Sequence, residues 1–231
     1  MRRGAPSANA AYGNSTAILV GDLLFGKASE LVAGLGAEAV LIQAQTFVRL
    51  CSGQIRDDRA CPEGVDPVDY YLGVLADKTG VLIATAARYG AMFSGCDAAT
   101  VETMREFGER LGIAFQLADD LIDIGSEADE TGKTPGTDLR EGKRTLPVLH
   151  VLASDDPADA HLQALLTGDL GDDARLDEAL RLLRAHPAMA QARAHTDAVA
   201  RQAQDVLAAL PEGDAKAALH ALATGVVTRV G

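Results

Sequence analysis

The stretch Phe115-Gln116-Leu117-Ala118-Asp119-Asp120-Leu121-Ile122-Asp123 puts three carboxylates into an otherwise apolar helical run. On a helix, residues four apart stand one above the other, so Asp119 and Asp123 share a face and Asp120 sits beside them. Like charges at that spacing repel, while Leu117, Ala118, Leu121 and Ile122 are of the kind that bury a helix face. Carboxylates so placed line a cleft and need a cation. Hard oxygen donors with room for water suit Mg2+, which takes one or two carboxylates and completes its shell with water and substrate phosphate oxygens. The chemistry this points to is the handling of a diphosphate. A solvated acidic face in an acidic chain gives the same spacing, and the motif alone weighs the two readings equally.

The elements that must position these residues are helical nearly throughout. Ala, Leu, Arg, Glu and Gln are plentiful, apolar residues recur at three and four, and β-branched alternation is scarce. The pattern predicts an all-α domain with helices near 15–34, 37–58, 66–92, 98–124, 145–153, 173–185, 188–209 and 213–229. Asp66-Pro67 marks a helix start with Pro at the first helical position, and His186-Pro187 marks a break. The longest non-periodic stretch, 125–144, holds five glycines or prolines and follows the aspartate helix directly. It carries Lys133 and Lys143 on glycine-flanked backbone, point charges suited to phosphate oxygens, and reads as a candidate lid over the metal. Met92-Phe93 reads as core packing, and His150 as a core or boundary histidine.

At 231 residues one helical domain, 1–231, accounts for the whole chain. A net charge of −12 argues against a nucleic-acid surface or an anionic membrane as the main partner. An anionic substrate then has to be met locally, by Mg2+ and a few placed Lys and Arg. Cys51, Cys61 and Cys96 form no close pair and read as cytosolic thiols. Arg2-Arg3 followed by Ala17-Ile18-Leu19-Val20 imitates an export signal, but Asn9, Asn14, Gly21 and Asp22 interrupt it. No run approaches the roughly 20 apolar residues of a membrane span, so the expected location is the cytoplasm.

Taken with the loop Gly132-Lys133-Thr134-Pro135-Gly136-Thr137-Asp138-Leu139-Arg140-Glu141-Gly142-Lys143-Arg144-Thr145-Leu146-Pro147, the aspartate segment resembles the second aspartate-rich motif of the trans-polyprenyl diphosphate synthase family. Further segments agree in order: Arg2-Arg3-Gly4-Ala5-Pro6-Ser7, Asn9-Ala10, Tyr12-Gly13-Asn14, Gly21-Asp22-Leu23-Leu24-Phe25, Gly53-Gln54-Ile55-Arg56-Asp57 and Lys78-Thr79. The resemblance covers about the first two thirds of the chain, and several ordered motifs are far more specific than one. It implies an isoprenoid-synthase-type helical bundle around a central cavity. It also implies Mg2+ held by Asp119, Asp120 and Asp123 and bridged to an allylic diphosphate. By the same resemblance Arg2 contacts the allylic diphosphate, Arg3 the isopentenyl diphosphate, and Lys78, Lys133 and Lys143 the leaving group. Thr79 and Gln116 would face the forming carbocation. The implied reaction is ionisation, attack by the isopentenyl double bond, and loss of a proton to the diphosphate. Gln54 and Asp57 remain open between a site role and local helix contacts, with Arg56 or Arg59 as partners for Asp57.

The family's first aspartate motif lies before the RRG segment, and here that segment begins at Arg2. Relative to the family the sequence is therefore N-terminally truncated, lacking the first few helices and half of the metal cluster. Two readings follow: an active synthase of a longer polyprenyl chain whose start lies upstream, or a non-catalytic partner subunit of a complete synthase. The resemblance implies a homodimer, or a heterodimer with such a synthase. Without its neighbours the N-terminal helix should expose an apolar face that includes Ile18, Leu19, Leu23 and Leu24.

Overall fold

A computed structural model describes residues 5–125 and 135–228. Arg2, Arg3, Lys133 and residues 126–134 of the candidate lid lie outside the described residues. In chain order the helices are α1 (Ala8–Tyr12), α2 (Asn14–Ala33), α3 (Ala37–Asp57), α4 (Pro67–Leu75), α5 (Val81–Phe93), α6 (Ala98–Gly125), α7 (Thr137–Arg140), α8 (Leu146–Leu152), α9 (Ala160–Leu166), α10 (Asp173–Ala185), α11 (Pro187–Val206) and α12 (Asp214–Thr228). Among the described residues there is no strand. None of the described helices is long and apolar enough to cross a membrane.

The organising element is α6, 28 residues and so about 42 Å long. It is buried on more than one side because its apolar residues wrap around it, and the two cores of the protein meet on it. In one, Leu117, Leu121 and Ile124 pack with Leu146, Val148 and Val151 of α8, Leu176, Leu180 and Leu183 of α10, and Met189 and Ala192 of α11. In the other, Phe107, Leu111, Ala114 and Ala118 pack with Ala200 and Ala203 of α11, Leu207, and Ala223 and Val226 of α12. The aspartates thus ride on the most firmly held helix in the molecule.

The predicted 66–92 helix is α4 and α5 joined by a π-helical turn, Ala76–Gly80. Its start behaves as expected: the Asp66 carboxylate accepts from the Val68 and Asp69 amides, each at 2.9 Å, with Pro67 at the first position. Likewise His186 Nδ1 accepts from the Ala188 amide at 3.0 Å as α11 begins. Three helices escaped the periodicity reading, α1, α7 and α9, all of seven residues or fewer and too short to show a repeat. Phe93 is 49% exposed and stacks on Tyr89, so it is not core packing as its apolar type suggested. His150 is half-buried, at a boundary.

Helix α2 has no buried residue. Ile18, Leu19, Leu23 and Leu24 are 62%, 63%, 71% and 66% exposed, as the sequence led us to expect. Its attachment to α3 runs through Phe25 on Phe47, with ring centroids 4.3 Å apart, and through Gln43 on Ser29.

Candidate active site

The structure brings Thr79, Gln116 and Asp120 into one bonded chain and Lys78 and Lys143 onto Asp57, with Asp119 and Asp123 close enough to raise the carboxyl of Asp138. Thr79 Oγ1 donates to Gln116 Oε1 at 3.1 Å, and Gln116 Nε2 donates to Asp120 Oδ1 at 2.8 Å. Asp123 Oδ2 accepts from the Asp138 amide at 3.1 Å, while the Gly136 amide donates to the Asp123 carbonyl at 2.9 Å. The Lys143 amide in turn donates to the Asp138 carbonyl at 2.8 Å. The end of α6 therefore anchors the segment that carries Lys143.

The three aspartates of the motif part company. Asp119 and Asp123 are half-exposed, whereas Asp120 is 5% exposed and takes the hydroxyl hydrogen bond of Tyr71 from α4. Burial first, then the charges of Asp138 and Asp119, push the Asp120 carboxyl up to about 7, against the opposing hydrogen bonds from Tyr71 and Gln116. Asp138 is pushed up to about 6, again by burial first and then by Asp123, Glu141, Asp119 and Asp57. This crowding of half-buried negative charge is what a cation would relieve. Among the described residues no three carboxylate, His or Cys side chains converge on one metal position. That still fits Mg2+, which needs only one or two carboxylates and fills the rest of its shell with water and phosphate oxygens.

Asp57 resolves a choice the sequence left open. Its partners are Lys78 Nζ at 2.9 Å and Lys143 Nζ at 2.7 Å, both on Oδ2, and not Arg56 or Arg59. Lys143 also reaches the Asp57 carbonyl at 3.3 Å and Asp58 Oδ1 at 3.1 Å, where α3 ends and its last carbonyls attract a cation. Burial pushes the Asp57 carboxyl up, but the bonds from Lys143 and Lys78 outweigh it and hold it below its ordinary range. Gln54 meets Asp58 at 3.2 Å, a local helix contact.

Sequence reasoning missed the groups that hold the π-turn. Asp77, one residue before Lys78, is gripped by Arg49 at 2.9 Å and Arg56 at 3.0 Å, both from α3. Arg49 continues to Glu109 of α6 at 2.8 Å, and Arg105 meets the same Glu109 at 2.9 Å. Gly53 lets α3 close on this turn: a Cβ there would stand 2.7 Å from the Lys78 nitrogen. A π-turn re-aims the residues it carries, here Lys78 and Thr79, and such turns recur at functional sites. The available signal was the glycine at position 53, one turn of helix before Asp57. The small pocket between α3, α5 and α6, lined by Thr46, Arg49, Thr85 and Arg88, shares no residue with the aspartate cluster.

An all-α bundle whose longest helix carries clustered carboxylates, with two lysines held on Asp57 and Thr79 bonded to Gln116 beside them, is the class of protein that the fold and these groups define. The chain belongs to the polyprenyl synthetase family, whose sequence pattern, described as "Polyprenyl synthetase", matches residues 1–183. It is 52% identical, over its full 231 residues and 69% of the relative's length, to a nonaprenyl diphosphate synthase of Mycobacterium tuberculosis. It is 33% identical, over 96% of this chain and 68% of the relative, to an octaprenyl diphosphate synthase of Haemophilus influenzae. Among solved structures, a polyprenyl synthase from Caulobacter crescentus, complexed with calcium and isoprenyl diphosphate, is 33% identical with a TM-score of 0.90. The match covers 100% of this chain and 71% of that one. A geranylgeranyl pyrophosphate synthase from Corynebacterium glutamicum, also complexed with calcium and isoprenyl diphosphate, is 43% identical with a TM-score of 0.85 over 97% of this chain and 70% of that one.

Proposed function

We propose that this chain is the diphosphate-activating part of a cytoplasmic, Mg2+-dependent prenyltransferase that joins isopentenyl diphosphate to an allylic prenyl diphosphate and makes a longer polyprenyl diphosphate. The observation that carries the reading is the gathering of three bonded sets around one end of α6: Lys78 and Lys143 on Asp57, Thr79 on Gln116 with Gln116 on Asp120, and the Asp138 amide on Asp123. Asp119 and Asp123 are the ligands of this proposal that face outward, and Mg2+ would supply charge neutralisation of the leaving diphosphate. Lys78 and Lys143 stand ready to add their charge to it, as Lys133, Arg2 and Arg3 would from outside the described residues. Thr79 and Gln116 present oxygens where positive charge develops, and these act best where water is sparse and their direction is preset. Sequence kinship with nonaprenyl and octaprenyl synthases supports the longer product.

The test is product formation by this chain, and by a version extended upstream, with Mg2+ and both diphosphates. We expect Mg2+-dependent chain elongation by at least the extended version. Failure of both versions, alone and mixed with a complete synthase, sinks the proposal. Activity that arises only in the mixture moves it to the partner-subunit reading.

The same proposal includes a homodimer through α2 and α3. A broad exposed apolar face is built to be covered, and α2 carries exposed Leu19, Leu23, Leu24 and Leu31. In sedimentation velocity the protein should run as a dimer, and Leu23→Asp with Leu24→Asp should run as a monomer. A monomeric parent protein rules this interface out.

A further inference from the structure

We propose that Asp120 is a positioning residue rather than a metal ligand, held by Tyr71 so that it sets the amide of Gln116. The inference rests on the diphosphate-site reading above and deepens it. Asp120 is 5% exposed, which leaves no room for the hydration shell that Mg2+ keeps. Both its oxygens are already engaged, Oδ2 by the Tyr71 hydroxyl and Oδ1 by Gln116 Nε2 at 2.8 Å. Oδ1 accepts from the NH2 of Gln116, which turns that NH2 inward and leaves Oε1 pointing at Thr79. Thr79 Oγ1 donates to that Oε1 at 3.1 Å. The order is therefore Tyr71 to Asp120 to Gln116 to Thr79, running from the core out to the π-turn.

Tyr71 stands at the inner end. Its ring is packed among the residues of the main core, on α4, and the backbone at Leu146 bonds the same hydroxyl. With that contact in place, the hydroxyl proton is directed to Asp120. The relay so couples the start of α8 to the direction in which Gln116 presents its oxygen. A Gln side chain alone has no such preference, because its two amide ends are of equal size and differ only in what they bond. In Asp120→Asn, one end of the new amide is a donor, so either Tyr71 or Gln116 loses its acceptor, and Gln116 can turn its NH2 outward.

The experiment compares Asp119→Asn, Asp120→Asn and Asp123→Asn in two readouts, Mg2+-dependent binding of inorganic pyrophosphate by calorimetry and turnover of the allylic substrate. Asp119→Asn and Asp123→Asn should weaken pyrophosphate binding about tenfold or more, the size seen when metal-site groups are removed. Asp120→Asn should bind pyrophosphate within about threefold of the parent while kcat falls about 100-fold, the cost of losing a preset dipole at the reacting carbon. Asp120→Asn weakening pyrophosphate as much as Asp119→Asn overturns the inference alone. A parent protein with no Mg2+-dependent pyrophosphate binding overturns both it and the function it rests on. Should Asp120→Asn fold poorly, Tyr71→Phe decides: combined with Gln116→Ala it should lower kcat no further than Gln116→Ala by itself, and additive losses overturn the inference.

Discussion

Asp119→Ala should lower prenyl-transfer turnover by about 100- to 1000-fold, the loss that follows removal of one group stabilising transition-state charge. Asp119 is partly exposed on α6, and its charge is among those that raise the carboxyls of Asp120 and Asp138, so its removal takes away one of the negative groups a cation would bridge. Asp123→Ala should lose stability as well. It takes the same toll on turnover but also deletes the acceptor of the Asp138 amide, a bond of 3.1 Å that ties residues 136–143 to α6. A lost hydrogen bond to a charged acceptor costs about 1.5–3 kcal/mol, so its melting temperature should fall, and Asp123→Asn should restore most of the stability but not the turnover. Thermal melts beside steady-state rates check this. A fully active Asp119→Ala rejects the assignment.

The second large effect is expected at Gly112. A Cβ there would stand 2.7 Å from Gly80 Cα and 3.2 Å from Gly80 N, with Ile83 Cδ1 at 3.3 Å. The first two are backbone atoms and cannot swing aside, so Gly112→Ala must push α6 and the π-turn apart. Overpacking of this kind costs about 1–3 kcal/mol, more than the ~1 kcal/mol that Ala gains over Gly within a helix. Gly80 closes the turn that carries Lys78 and Thr79, so the push is delivered where Thr79 meets Gln116. A displacement of about 1 Å there is worth about 100-fold in rate. Gly108→Ala, with its Cβ 2.7 Å from Ala84 Cα and 2.7 Å from the Ile83 carbonyl, should destabilise likewise but sits one turn further from the site. Gly90 is the control: nothing lies within 4 Å of a Cβ there, and Gly90→Ala should raise the melting temperature with rates unchanged. Should Gly112→Ala match the parent in both melt and rate, the close approach of α6 to the π-turn has no role in aiming that turn.

Much of the molecule could be read without coordinates because its causes are local. Repeats of three and four marked α2, α3, α6, α10 and α11 to within a few residues, since burying one stripe of a helix needs nothing but the right types at the right spacing. Asp66 and His186 marked helix starts, because a cap acts within three residues of itself. The aspartate spacing, Lys78-Thr79 and the glycine-lysine loop were enough to point to a diphosphate and to a family. Short helices such as α9 left no repeat to find.

What the tertiary structure alone decided is which of these groups meet and which way they face. The sequence placed Asp119, Asp120 and Asp123 as equals, yet Asp120 turns inward because Tyr71, 49 residues earlier, waits there with a hydroxyl to satisfy. Asp57 had two arginines close by in the chain and bonds instead to Lys78 and Lys143, 21 and 86 residues away. Arg49 and Arg56 grip Asp77 across helices, and Gly53 exists to let that grip close. Spacing along a chain determines which face of a helix a residue occupies. Whether that face opens outward or onto another helix depends on packing that no local pattern encodes, and in this protein that difference separates the partly exposed Asp119 and Asp123 from the buried Asp120.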